Sequence, residues 1–419
     1  MKKTVTVVGQ GYVGLPLAKE AVFSGWKVFG YDVSEPTVDG LNKGRSHIDD
    51  LSDEDIEEML NAGYVATIDP AVIAESDVVV ICVPTPLGTA GEPDLAYIEA
   101  ASRTVGENLV EGTTVILEST TYPGTTEEIC GPILESTSGL RLSEDFHLAF
   151  SPERVDPGRV DYGIKTTPKL VGGLTAESTA SASSFYASFV DEVVEMSGAK
   201  EAETAKLLEN TFRHVNIALV NEMAKVCHEL GIDIWEVIRG AGTKPFGYMA
   251  FKPGPGVGGH CIPIDPNYLS YEVRRSLGYP LRFVELAQEV NNSMPTYVAS
   301  RIAEMLNDEG KALRGARVLL MGVTYKKNIA DQRESPALPL AAELVKRGAN
   351  VSYSDPRVPS WKIGDEALTS VEPSREAVEA QDIVVLLQAH DEFDVAELAK
   401  SAALLLDTTG TVEDPTQRL

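Results

Sequence analysis

Cysteine is scarce: Cys82, Cys130, Cys227 and Cys261 are the only four in 419 residues, and none are spaced C-x-x-C. So few thiols in so long a chain build no disulfide framework, and a reducing cytoplasm is its natural home. No Cys and His are clustered at metal-ligand spacing, so no metal is expected. No apolar run reaches bilayer-spanning length, and the stretch after Met1-Lys2-Lys3 is too short for a signal-peptide core. Basic residues are outnumbered: 36 Lys and Arg stand against 63 Asp and Glu, a net charge of −27. That field repels nucleic acid and anionic membranes, so neither is expected as a partner. Short repeats and low-complexity tracts are missing as well.

What is present, 43% hydrophobic and 24% charged residues, is ordinary for a globular protein, and the length asks for two or three domains. The β-branched run Thr4–Val8 leads straight into Gly9-Gln10-Gly11-Tyr12-Val13-Gly14, then a helical pattern, then a strand over Lys27–Tyr31 ending at Asp32. In that context the glycine pattern reads as a dinucleotide fingerprint. The first two glycines let the backbone turn and approach a pyrophosphate, and the third lets helix and strand pack. Asp32 is placed to accept ribose hydroxyls, and no arginine follows at Val33 or Ser34, which favours NAD over NADP.

The winding continues with apolar strands over 77–83, 113–117 and 146–150. They end in Pro84-Thr85-Pro86, in Glu118-Ser119-Thr120 and in Ser151-Pro152-Glu153-Arg154. Singly, Thr120 is a helix cap and Glu153 a solvated loop acid. Three such ends in a row predict a ligand crevice at the carboxyl edge of the sheet. Residues 199–239 change to helical periodicity, with Ala205, Leu208, Phe212, Val215, Leu219, Met223, Val226 and Leu230 on one face. This predicts a long helical spine and subunit interface. Lys206 and Asn210, four apart, share a face beside that stripe. A second helix is expected over 283–306.

Between these helices lies Pro253-Gly254-Pro255-Gly256-Val257-Gly258-Gly259-His260-Cys261-Ile262-Pro263-Ile264-Asp265-Pro266. Such a segment cannot continue a helix or central strand, but it can wrap a ligand. Cys261 there reads either as a nucleophile with Asp265 in reach as a base, or as an ordinary buried thiol. Strands over 317–322, Asn350–Ser354, 382–387 and 403–407 then form a second sheet without the glycine fingerprint. The fold expected is α/β, with two doubly wound, Rossmann-like parallel-sheet domains joined by a long central helical region. Its divisions fall at 1–198, 199–311 and 312–419. A thiol loop beside an NAD site suits oxidation beyond the aldehyde, because a thiohemiacetal can give up hydride and become a thioester.

Across its length the chain resembles the UDP-glucose/GDP-mannose dehydrogenase family. The motifs that carry the resemblance are the Gly9–Gly14 fingerprint, Val83-Pro84-Thr85-Pro86, Ser119-Thr120, Pro152-Glu153, Lys206-Leu207-Leu208-Glu209-Asn210, residues 258–266 and Tyr325-Lys326 with Arg333-Glu334-Ser335-Pro336. Within the family, residues 117–128, Ser151-Pro152-Glu153-Arg154 and Thr243-Lys244-Pro245-Phe246-Gly247 look most like members acting on UDP-N-acetylglucosamine, with those acting on UDP-N-acetylmannosamine next. His214 departs from a frequent Asp, and Ala330 from an Asp pair ahead of Arg333.

The resemblance implies a homodimer or higher homo-oligomer that oxidises C6 of a UDP-sugar to the acid. It makes Cys261 the nucleophile and Lys206 the oxyanion partner, with Asp265, Glu153, Thr120 and Asn210 serving proton transfer and hydrolysis. NAD would lie on Gly9, Gln10, Gly11, Tyr12, Val13, Gly14, Asp32, Pro84, Thr85, Ser119, Thr120 and Arg333. The UDP-sugar would lie on Glu153, Arg154, Lys206, Asn210, Lys244, Lys252, Gly256, Gly258, Tyr325 and Lys326. An epimerase would need Tyr248 and Lys252 on one helix, which Pro253-Gly254 forbids. A non-catalytic nucleotide sensor has no use for Lys206, Cys261 and Asp265 together.

Overall fold

The computed structural model describes residues 3–88, 92–155, 162–259, 262–414 and 417–419. The chain divides into two compact units, one of Met1–Glu209 with Asn267–Tyr279, the other of Asn210–Pro266 with Pro280–Leu419. Among the described residues no helix is long and apolar enough to cross a membrane.

The first unit is built on eight strands: β1 Thr4–Val8, β2 Lys27–Tyr31, β3 Tyr64–Thr67, β4 Val78–Ile81, β5 Thr114–Leu117, β6 His147–Phe150, β7 Lys169–Gly173 and β8 Val193–Glu195. Their order is β3-β2-β1-β4-β5-β6-β7-β8. β1 is shared between the two directions of winding, pairing Val5 with both Val28 and Val78 in parallel. The loops after β1 and β4 therefore diverge to opposite faces, and ligands of such sheets bind at that switch point. β1, β4 and β5 are buried throughout, as apolar runs covered on both faces must be. β4, β5 and β6 are consecutive parallel neighbours, so the three loops singled out above open side by side.

β7 breaks the parallel pattern expected of the sheet. It pairs antiparallel with β6 through Ala149–Gly173 and Phe150–Gly172. Side chains are excluded there: a Cβ on Gly172 would lie 2.0 Å from the Gly198 carbonyl oxygen, and one on Gly173 2.3 Å from the Thr179 amide. The reversal carries Lys169, the first residue of β7, to the edge where β4–β6 end.

The second unit holds a parallel four-stranded sheet of β9 Arg317–Met321, β10 Asn350–Ser354, β13 Ile383–Leu386 and β14 Leu405–Asp407, ordered β10-β9-β13-β14. A hairpin of β11 Ser360–Ile363 and β12 Glu366–Thr369 adds an antiparallel pair that the sequence pattern did not signal. The helix expected over 199–239 is two helices, Ala199–Glu229 and Ile234–Gly242. Gly231 at φ +68° ends the first, and the Asp233 carboxylate accepts the Trp235 amide at 2.9 Å to cap the second. Val220, Ala224 and Cys227 of the long helix are buried with Trp235 and Ile238. The stripe picked out by periodicity faces outward instead: Leu219 is 57% and Leu230 68% exposed, and Phe212, Met223 and Val226 are exposed too.

Candidate active site

In the first unit the glycine turn has the geometry the fingerprint requires. Gly9 sits at φ +91°, and a Cβ on Gly14 would lie 1.9 Å from the Gly9 carbonyl oxygen. A Cβ on Gly11 would meet nothing within 4 Å, which leaves space at the turn for a ligand. Helix Gly14–Phe23 follows Val13, which makes no side-chain cap, so the positive end of its dipole points at the glycine turn and favours an anion there. The Asp32 carboxylate accepts the Gln10 amide at 2.8 Å and the Ser34 amide at 2.9 Å, which aims it. These features fit a dinucleotide. Tyr12 and Val13 are half-buried beside them. Gln10 contributes by its backbone: its side chain is fully buried, donating to the Val7 carbonyl at 2.8 Å and accepting from Tyr64 at 2.7 Å.

At the ends of β4 and β5, Pro84 is exposed and Thr85 is buried, its carbonyl accepting the Tyr268 hydroxyl at 2.8 Å. The Ser119 hydroxyl donates to the Val83 carbonyl at 2.8 Å and ties the two loops together; Thr120, next to it, is half-buried. Buried Glu203 accepts the Gly124 amide at 2.6 Å, the Thr126 amide at 3.0 Å and the Thr126 hydroxyl at 2.7 Å. Burial pushes its carboxyl up to about 7, against the pull of those donors. One turn further on, buried Lys206 donates to the Glu153 carbonyl, so these two residues do meet. Arg154 turns to Glu209, at 2.7 Å.

Behind Glu153 lies a cluster that sequence reading missed. The Lys169 ammonium pairs with Glu118 and stands 3.3 Å from Glu153 Oε2. The other Glu118 oxygen accepts the Tyr186 hydroxyl at 2.5 Å. Glu118 was visible as an acid closing a buried strand. Lys169 gave no signal, since a lysine opening an apolar strand is ordinarily a solvated end.

In the second unit the Asn210 amide donates to Asp265 Oδ2 at 2.6 Å, and both residues are buried. The proline- and glycine-rich segment is anchored where the Gly254 amide donates to Asn221 Oδ1 at 2.9 Å. Gly256 and Gly258 are required by contact: a Cβ would lie 2.9 Å from Pro336 Cβ and 2.6 Å from Tyr325 Cβ respectively. The loop bearing Tyr325 and Lys326, both half-buried, is pinned by buried His390. Nδ1 of that ring accepts the Asn328 amide at 3.0 Å, and Nε2 lies 3.2 Å from Asp355 Oδ2. Asp355 in turn accepts the Val323 amide at 2.7 Å. Lys244 and Lys252 are exposed, Lys244 stacking on Phe246. Arg333 is paired with Asp331 at 2.6 Å. His260 and Cys261 lie outside the described residues.

Three models of one family match in succession: the NAD binding domain of the UDP-glucose/GDP-mannose dehydrogenase family at residues 3–190, its central domain at 200–293 and its UDP binding domain at 319–414. A UDP-N-acetyl-D-glucosamine 6-dehydrogenase of Pseudomonas aeruginosa is 36% identical over 96% of this chain and 96% of its own length. The solved structure of a UDP-D-ManNAc dehydrogenase from Pyrococcus horikoshii superposes with a TM-score of 0.90 at 34% identity, covering 98% of this chain and 96% of that one. An NDP-N-acetyl-D-galactosaminuronic acid dehydrogenase from Methanosarcina mazei Go1 gives 0.81 at 32% identity, covering 97% and 90%.

Proposed function

The chain belongs to the UDP-glucose/GDP-mannose dehydrogenase family, an NAD-dependent nucleotide-sugar dehydrogenase, and from that premise we propose that it oxidises C6 of UDP-N-acetylglucosamine to the uronic acid. The observation that carries this reading is the buried Lys206 ammonium bonded at Glu153 on the carboxyl edge of the dinucleotide sheet. A fixed cation there suits an oxyanion forming at the reacting carbon. The N-acetylhexosamine assignment rests on the motif resemblance and on the relative from Pseudomonas aeruginosa. UDP-N-acetylmannosamine is the second reading, favoured by the fold match to the Pyrococcus horikoshii protein. Residues 1–198 hold NAD, 199–311 carry the thiol loop and the subunit contact, and 312–419 hold the UDP moiety.

Bound NAD supplies a hydride acceptor, once for each of two oxidations. Gly9, Gly11, Gly14 and Asp32 hold it, with Pro84, Thr85, Ser119, Thr120 and Arg333 around it. Asp265, held by Asn210, takes the proton of the C6 hydroxyl. Cys261 adds to the aldehyde as a thiohemiacetal, which becomes a thioester in the second oxidation. Lys206 steadies the C6 oxygen, and Glu153 with Thr120 orders the water that releases the acid. Tyr325, Lys326, Lys252 and Lys244 supply the positive and polar contacts a diphosphate needs on a chain this acidic. The outward apolar face of the long helix pairs two copies.

The test is stoichiometry. Offered UDP-sugars differing at C2 and C4, the enzyme forms two NADH per UDP-N-acetylglucosamine, and Cys261→Ser forms no acid while still binding NAD. One NADH per sugar, or full turnover by the variant, rejects the covalent route; no NADH leaves a sensor.

A further inference from the structure

The cluster behind Glu153 holds more charge than this reaction uses. The side chains of Lys169 and Glu118 are 5% and 0% exposed. A buried ion pair is a weak source of stability, because desolvation offsets much of the attraction. The fold nevertheless reverses β7 to bring Lys169 here. Continuing the β6–β7 register beyond Phe150–Gly172 sets Lys169 opposite Glu153, and the Ser151 hydroxyl closes that stretch onto the Leu170 carbonyl at 2.8 Å.

We propose that Lys169 is a positioning residue for acid release: clamped by Glu118 and Tyr186, its ammonium keeps the Glu153 carboxylate ionised and aimed at the water that hydrolyses the thioester. In that step the water oxygen bonds to C6 and the C–S bond breaks. One water proton passes to Glu153, and the sulfur leaves as thiolate. The inference rests on the role given to Glu153 above.

The charges around Glu153 support the assignment. Lys169 faces it from β7 and Lys206 binds its backbone carbonyl from the long helix. The Val155 amide donates to Oε1 at 2.5 Å, and Arg154 is turned onto Glu209. Glu118 stands behind Lys169 with Tyr186, and the Cys82 thiol after β4 is kept neutral by burial. Burial alone raises both carboxyls. Lys169, Val155 and Lys206 outweigh it at Glu153, which is held below the usual range, whereas Glu118 is pushed up to about 7. Two carboxylates sharing one cation are thereby split into an ionised base and a supporting acid.

The experiment uses the full enzyme with NAD and whichever UDP-sugar of the panel turns over. Glu118→Gln/Lys169→Met removes both buried charges together, so neither is stranded. We expect the acid limb of its kcat–pH profile to move alkaline by about one to three units, with a sugar adduct on the enzyme in acid-quenched mass spectra. Lys169→Arg, which keeps the cation, should retain the wild-type profile. A double variant with the wild-type profile and no adduct overturns the proposal, reducing Lys169 to a counter-ion for Glu118. So does a Lys169→Arg profile displaced as far as that of the double variant, which remains decisive if the double variant fails to fold. Glu153→Gln runs alongside: wild-type hydrolysis there sinks the role of Glu153 itself, and the proposal with it.

Discussion

His214 is fully buried in the long helix, and among the described residues neither ring nitrogen has a hydrogen-bond partner. Desolvation pulls it down to about 4 from an ordinary 6.5, so the folded chain carries it neutral. The unfolded chain therefore takes up the proton first. His214 leaves stability untouched above pH 6.5 and costs more as pH falls towards 4, reaching about 3 kcal/mol. We expect His214→Leu to gain on wild type in urea midpoint between pH 7.5 and pH 4.5; a gap independent of pH would refute this. Glycines and acids of the fingerprint were legible at this scale because their backbone demands are local. Lys169 and Tyr186 were not, since their partners lie 51 and 68 residues away.

Among the elements, the loop carrying Tyr325 and Lys326 is held by Gln388, Asp391 and, from the buried side, His390. His390 offers Nδ1 to the Asn328 amide, which places its own proton on Nε2 towards Asp355. Removing it strands a backbone donor on a loop where Asn328 already sits at φ +64°. Leaving such a group unpaired costs about 1–3 kcal/mol, enough for roughly a tenfold loss of binding. His390→Ala should therefore raise KM for the UDP-sugar about tenfold with KM for NAD unchanged. His390→Asn, which keeps an acceptor, should recover part of it. Equal loss for both ligands would place the defect elsewhere. Element types were readable from period and apolar runs. The direction of β7 was not, because it is chosen by close packing at Gly172 and Gly173 rather than by hydrophobic pattern.

For the molecule as a whole, Leu219, Met223, Val226 and Leu230 present an apolar face left exposed among the described residues, with half-exposed Phe212 edge-on to Phe251 beside them. Burying each such side chain contributes about 1.5–3 kcal/mol, which makes pairing of two copies favourable despite their charge. Wild type should sediment as a dimer or a multiple of it, and Leu219→Glu/Met223→Glu as a monomer; an unchanged mass would exclude this face. The sequence by itself determined two wound sheets, the dinucleotide turn and the residues offered for chemistry, since strand, turn and helix preferences act over a few neighbours. Tertiary structure alone decided which face of the long helix is buried and that a lysine from a reversed strand backs Glu153. Those outcomes depend on contacts between distant segments, and burial changes both the cost of a charge and the worth of its partner.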